Sequence, residues 1–142
     1  MREILFRGKM ITVGEWVEGN YCHNPESNHD YISVWEDYVY SAGIEEVREL
    51  RCYYRAVTPE TVGQYTGCTD KTGKKIFEGD IVWYDYEEER GVVSWDNDTA
   101  RFIITCSTFT VDFNNVYGYE LKVVGNIYDN SEMMKEIEED YE

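Results

Sequence analysis

Positive charge is scarce in this sequence. Thirteen Lys and Arg stand against 29 Asp and Glu, a formal net charge of −16. Affinity for a nucleic-acid backbone comes from cations that release counterions from phosphates, so direct nucleic-acid binding is not expected. The imbalance fits solubility, and it leaves room for a sharper use, an acidic decoy that occupies a basic protein. Long apolar runs are also missing. No run reaches the ~20 residues that span a bilayer, and the N-terminus lacks a signal-peptide apolar region. The expectation is a soluble, cytoplasmic protein with no membrane partner. The four cysteines, Cys22, Cys52, Cys68 and Cys106, form no close pair, and without a secretion signal they read as reduced thiols. Cys22-His23 and His29 could join them around a metal, but structural zinc usually shows a Cys-x₂-Cys pair. Neither a metal nor a cofactor is expected.

Aromatic side chains are plentiful: 15% of the 142 residues, with thirteen Tyr. That supports one ordinary domain, or one domain with a small appended unit. Residues 3–7 alternate, with Ile4 and Phe6 on one face and Leu5 and Arg7 on the other. Gly8-Lys9 breaks the pattern, residues 10–13 can form a second strand, and Glu18-Gly19-Asn20 reads as a turn. Residues 24–28 are a loop by composition and 31–40 a strand. Ile44, Val47 and Leu50 have helical spacing, with a strand as the competitor. Thr58 can cap a short helical turn with Pro59 at its first position.

Residues 58–82 are the most punctuated stretch. Residues 64–68 read extended. Asp70-Lys71-Thr72-Gly73 is a turn, with Asp bonding its own backbone and Gly taking a positive φ. Residues 74–77 return, and Gly79-Asp80 turns into a strand at 81–86. Gly73-Lys74-Lys75 is not a phosphate loop. Five residues separate Gly67 from Gly73 where four are needed, and Lys75 stands where Ser or Thr would hold magnesium. Strands follow at 91–95, 102–105, 116–119 and 121–124, with Asp96-Asn97-Asp98 and Asn114-Asn115 as turns. Asp129 or Asn130 can cap a final helix striped by Met133, Ile137 and Tyr141, whose acidic end (Glu138, Glu139, Asp140) should fray. The fold class is therefore mainly β. It comprises an irregular β-rich region over residues 1–57 and a small SH3-like or similar β-barrel with a terminal helix over 58–142.

Several of these strings resemble one family. They are Arg2-x-Ile4-x-Phe6-Arg7, Trp16-x-x-Gly19, the whole of residues 61–82 and Val123-Val124-Gly125-Asn126-Ile127-Tyr128 before a short helix. Together they resemble the YopX family of bacteriophage and prophage proteins. The central string carries most of the match: Thr61, Gly63, Gln64, Tyr65, Thr66 and Gly67, then Asp70, Gly73, Lys74 and Ile76, then Glu78, Gly79, Asp80, Ile81 and Val82. Residues 22–50 match nothing in it. The resemblance implies a phage or prophage origin, a mainly β fold and self-association. It implies no activity.

Two constellations invite a functional reading. Asp80, Asp85, Glu87, Glu88, Glu89, Asp96 and Asp98 could serve a metal-dependent hydrolase or a glycosidase if strands brought them together, although turns account for acids at such positions. Glu78 and Asp80 stand out because they flank Gly79. The pairs Tyr38/Tyr40, Tyr84/Tyr86 and Tyr117/Tyr119 each place two rings on one strand face, as core filling or as an interface. The reading is a non-enzymatic protein that binds itself or another host or phage protein. The alternatives are an acidic mimic of DNA and, more weakly, a carboxylate hydrolase. A homo-oligomer that loosens at low salt is expected, because repulsion between acidic copies is then unscreened.

Overall fold

The structure is a computed structural model that describes residues 2–141, with side chains described through Ile137. The chain is mainly β and antiparallel throughout, and it divides into two compact units. One unit is residues 4–62. The other is the chain from Gly63 onward together with Arg2 and Glu3.

The first unit holds β1 (Phe6–Lys9), β2 (Trp16–Asn24), β3 (His29–Ala42) and β4 (Glu45–Val57), side by side in the order β4-β3-β2-β1. Of residues 10–13, Met10 makes a single antiparallel bridge to Val57 and residues 11–13 form a turn rather than a strand. Glu18-Gly19-Asn20 is not a turn but the middle of β2. A Cβ at Gly19 would lie 1.9 Å from the Ser33 carbonyl oxygen of β3, so this glycine marks a close approach of backbones. The possible helix at 44–50 is also replaced by strand. Its apolar spacing is real, but Ile44 lies in the tip turn and residues 45–50 pair with β3, within an unbroken register from Asp30 opposite Val57 to Ala42 opposite Glu45.

Pro59–Thr61 forms the expected helical turn, of 3₁₀ type, although Thr58 contributes no side-chain cap. The second unit then opens with the hairpin of β5 (Gly63–Thr69) and β6 (Lys75–Phe77). A five-stranded sheet follows: β7 (Asp80–Tyr84), β8 (Glu89–Asp96), β9 (Arg101–Cys106), β10 (Thr110–Asp112) and β11 (Leu121–Asn126), ordered β10-β9-β8-β7-β11. The expected barrel is not closed, since β10 and β11 end the sheet on opposite sides. β10 has only three residues, and the strand expected at 116–119 is absent. In its place two 3₁₀ turns, Phe113–Asn115 and Gly118–Glu120, carry the chain across to β7. The core of this unit gathers Ile76, Val82, Val93, Ile104 and Leu121, each at most 1% exposed.

Helix α1 (Ser131–Tyr141) buries Ile137 and half-buries Met133. The Asn130 carboxamide oxygen accepts from the Asn126 amide, closing the preceding turn. The Tyr141 side chain and the acidic residues 138–140 lie outside the described side chains. Among the described residues, no helix is long and apolar enough to cross a membrane.

Candidate protein-interaction surface

The punctuated stretch proves to be scaffold. Asp70 is buried, and its carboxylate accepts from the amides of Thr72 (2.8 Å), Lys74 (3.0 Å) and Val123 (2.8 Å), and from the Thr72 hydroxyl (2.7 Å). Burial pushes its pKa up, but the Val123 amide, the Thr72 hydroxyl and the remaining amides outweigh it and hold the group below its ordinary value. The turn thus ties β5 and β6 to β11. Gly73 and Gly79 have φ of +87° and +91°, and at Gly79 a Cβ would also meet the Tyr128 ring at 3.0 Å. Gly63 has no room for a Cβ, since the Glu78 carbonyl oxygen would lie 2.5 Å away. Thr66 donates from its hydroxyl to the Ile76 carbonyl, and Tyr65 packs on Phe77 with ring centroids 5.6 Å apart. Asp80 is buried and accepts from the Phe77 amide at 2.8 Å. Glu78 is half-buried, and desolvation raises its pKa. The two acids flanking Gly79 therefore have different surroundings.

The remaining acids do not converge. Asp85, Glu87, Glu88 and Glu89 share the β7–β8 turn, whereas Asp96 and Asp98 stand at the far end of β8, roughly 23 Å along the strand. Asp85 pairs with Lys71 at 3.1 Å, and Asp96 binds the Thr99 hydroxyl and the Asp98 amide in its own turn. Among the described residues, no group of three or more His, Cys, Asp or Glu could hold a metal. His23 bonds Asp30 instead, at 2.6 Å. All four cysteines are free, and burial, then Glu89 and Glu87, push the Cys106 thiol up to about 11, far from a nucleophile's range.

The tyrosine pairs separate into three situations. Tyr84 is buried in the second unit's core while Tyr86 is 77% exposed. Tyr117 and Tyr119 stack in parallel at 5.3 Å, on a 3₁₀ turn rather than a strand, and both face solvent. Tyr38 and Tyr40 lie in the β3–β4 hairpin, 5.8 Å apart. There Arg51 covers Tyr38 at 3.6 Å, and the Tyr40 hydroxyl donates to Glu49 at 3.0 Å. Arg51 in turn binds Glu49 through two nitrogens at 2.9 and 3.1 Å. Arg51, then Tyr40, hold the Glu49 carboxyl below its ordinary value. On the same face Arg55 meets Glu36 at 3.0 Å.

That hairpin is the unusual element. β2 pairs with β3 only from Asn20 opposite Ser33 to Asn24 opposite His29. Beyond Ser33, residues 34–42 have β4 as their one strand neighbour, over about 30 Å at 3.3 Å per residue. A lone two-stranded ribbon is marginal in water. The cross-strand pairs around Tyr38, Tyr40, Glu49 and Arg51 help to hold it. The opposite face is laced more thinly among the described residues, by an exposed pair of Arg48 with Glu46 at 3.7 Å. It presents Trp35 (63% exposed), Val39 (46%), Leu50 (64%) and Tyr54 (64%), while Ile44 at the tip is fully exposed. The two-residue spacing of Trp35, Asp37 and Val39, and of Leu50, Cys52 and Tyr54, was the available signal. The helical reading of 44–50 hid it.

The family model described as YopX protein matches residues 5–135. No curated protein matches the chain. Among solved structures, that of protein EF1440 from Enterococcus faecalis is similar, with a TM-score of 0.58 and 23% identity over 94% of this chain and 99% of that one. At that identity the likeness speaks for the fold.

Proposed function

The chain belongs to the YopX family, and from that premise we propose that it is a non-catalytic module that acts by binding protein, its own copies first, through the β3–β4 hairpin. One observation carries this reading. The hairpin runs beyond its sheet neighbour and bares Trp35, Val39, Leu50 and Tyr54 on one face. Large apolar side chains exposed together on one face mark a candidate interface, and Trp and Tyr are among the residues most enriched in binding hot spots. The laced face gives the ribbon its shape, and the bare face is left for a partner. A phage- or prophage-encoded protein working inside the host cell fits this reading.

Light scattering across a salt series tests it. The expected result is an oligomer at physiological ionic strength that shifts toward monomer as salt falls. Trp35→Ser combined with Leu50→Ser should give monomer at every ionic strength with its β-sheet circular dichroism unchanged. A monomeric wild-type chain under all conditions would overturn self-binding. Capture of a DNA-binding host protein that duplex DNA displaces would favour acidic mimicry instead.

A further inference from the structure

β4 is the outermost strand of its unit, and one of its edges is open. The Ile11 amide donates to the Ala56 carbonyl (3.1 Å), and the Thr58 amide donates to the Lys9 carbonyl (2.9 Å). The edge is therefore occupied from Ala56 onward. Because peptide groups alternate along a strand, Ala56 also identifies which residues point their N–H and C=O outward: Glu46, Arg48, Leu50, Cys52 and Tyr54. Among the described residues, nothing hydrogen-bonds to those backbone groups. Long free edges of this type are templates for strand addition, and proteins normally blunt them.

The charge on this strand is also balanced. In a chain of net charge −16, β4 carries three Glu (45, 46, 49) and three Arg (48, 51, 55), so it is neutral. Its order restricts how it could meet itself. A two-fold axis normal to a sheet places one residue opposite its own copy, and like charges directly opposite are destabilising. Centring on Arg48, Glu49 or Arg51 sets that charge against itself. Centring on Val47 opposes Glu45 to Glu49. Centring on Cys52 requires Ala56, whose carbonyl is taken. Centring on Leu50 opposes Glu49 to the partner's Arg51 and Glu45 to the partner's Arg55, each twice by symmetry, and Val47 to the partner's Tyr53. No like charges meet. Glu45, Glu49, Arg51 and Arg55 then fall at the non-hydrogen-bonded positions, where side chains approach most closely.

From this we infer that β4 pairs with β4 of a second copy, antiparallel, with Leu50 on the two-fold axis. The inference rests on the self-binding reading above and specifies the contact: the copies join along the β4 edge, which sets Leu50 of the bare face beside the partner's Leu50 and leaves Trp35 and Val39, on β3, outside the ladder. The ladder ends at Tyr54 opposite the partner's Glu46, where the 11–13 turn blocks the edge. Beside that block lies a groove of about 510 Å³ lined in part by Met10, Val13, Val17, Tyr54 and Ala56. The next residue but one on the partner strand is its exposed tip residue, Ile44, which arrives at this groove, whose lining also includes Glu15, Glu36 and Arg55.

Oxidative cross-linking of the full chain reads the register. Leu50→Cys should give a covalent dimer as the main species on a non-reducing gel under mild oxidation. Arg48→Cys should cross-link to the partner's Cys52, its hydrogen-bonded opposite at about 5.5 Å between Cα atoms, within disulfide range. Wild type, whose Cys52 faces Arg48, and Glu49→Cys should cross-link several-fold less. Glu49→Arg should weaken the dimer about tenfold, and adding Arg51→Glu should restore it. A chain that scatters light as an oligomer yet shows no excess cross-linking for Leu50→Cys and Arg48→Cys would overturn this register and leave self-binding standing. A monomer at all ionic strengths would overturn both.

Discussion

The β5–β6 hairpin and the β3–β4 hairpin solve opposite problems with the same secondary structure. The first is short and packed. Its Asp70 turns inward and satisfies three amides, and its apolar side chains, such as Ile76 and Phe77, are sealed off. The second is long and unpacked. It holds its shape through exposed cross-strand pairs and leaves one face and one edge open. The most distinctive string of the sequence is therefore the part that builds the molecule. The part that carries the binding proposal is a stretch of unremarkable strand.

If this contrast is right, substitutions in the two regions should separate stability from assembly. The largest effect belongs to the second unit's core. Ile104→Ala should cost about 2–5 kcal/mol in chemical denaturation, and a loss below 1 kcal/mol would mean that the core is elsewhere. Asp70→Ala should come next, at about 1–3 kcal/mol, because the buried Val123 amide and two part-buried amides, of Thr72 and Lys74, lose their acceptor. The same residue predicts a pH dependence. Its folded pKa lies below its unfolded one, so its contribution is fully present above the unfolded value and disappears as pH falls through the folded one. Acid denaturation of Asp70→Asn should lack that component, and identical acid profiles would refute it.

The glycines sharpen the comparison further. Gly79→Ala combines a disfavoured φ with a contact at the Tyr128 ring and should destabilise by about 2 kcal/mol. At Gly73 no atom lies within 4 Å of an added Cβ, so only the backbone term remains, about 1 kcal/mol. Equal melts for the two variants would remove the steric part of the argument. The smallest effect is expected on the arm. Leu50→Ser should change the unfolding free energy of the monomer by less than about 0.5 kcal/mol, and should only loosen the oligomer measured by sedimentation. A large loss of stability would show that the arm is packed rather than waiting. Thiol labelling at pH 8 offers an independent check: exposed Cys22 should react quickly, and Cys106, pushed up to about 11, should react only on unfolding.

The sequence by itself determined the β character, the family and the turns at Asp70–Gly73 and Gly79, because Asp and Gly at those places act through their own backbone and need no distant partner. Glycines that answer to distant partners were misread. Gly19 looked like a turn and is a close crossing of strands, decided by a Ser33 carbonyl fourteen residues away in the chain. Sheet closure, too, depended on tertiary structure, since the two 3₁₀ turns after β10 carry the chain to the far side of β7. The tyrosine pairs were visible as pairs, yet their environments were not. A two-residue period states which side chains share a face, and says nothing about what lies over that face. Tyr38 and Tyr40 turned out to be covered by Arg51 and Glu49 from across or along the hairpin, while Trp35 and Leu50 were left bare. Which face of a strand is free is a property of its neighbours in space, and for residues 34–54 those neighbours exist only once β3 and β4 have paired.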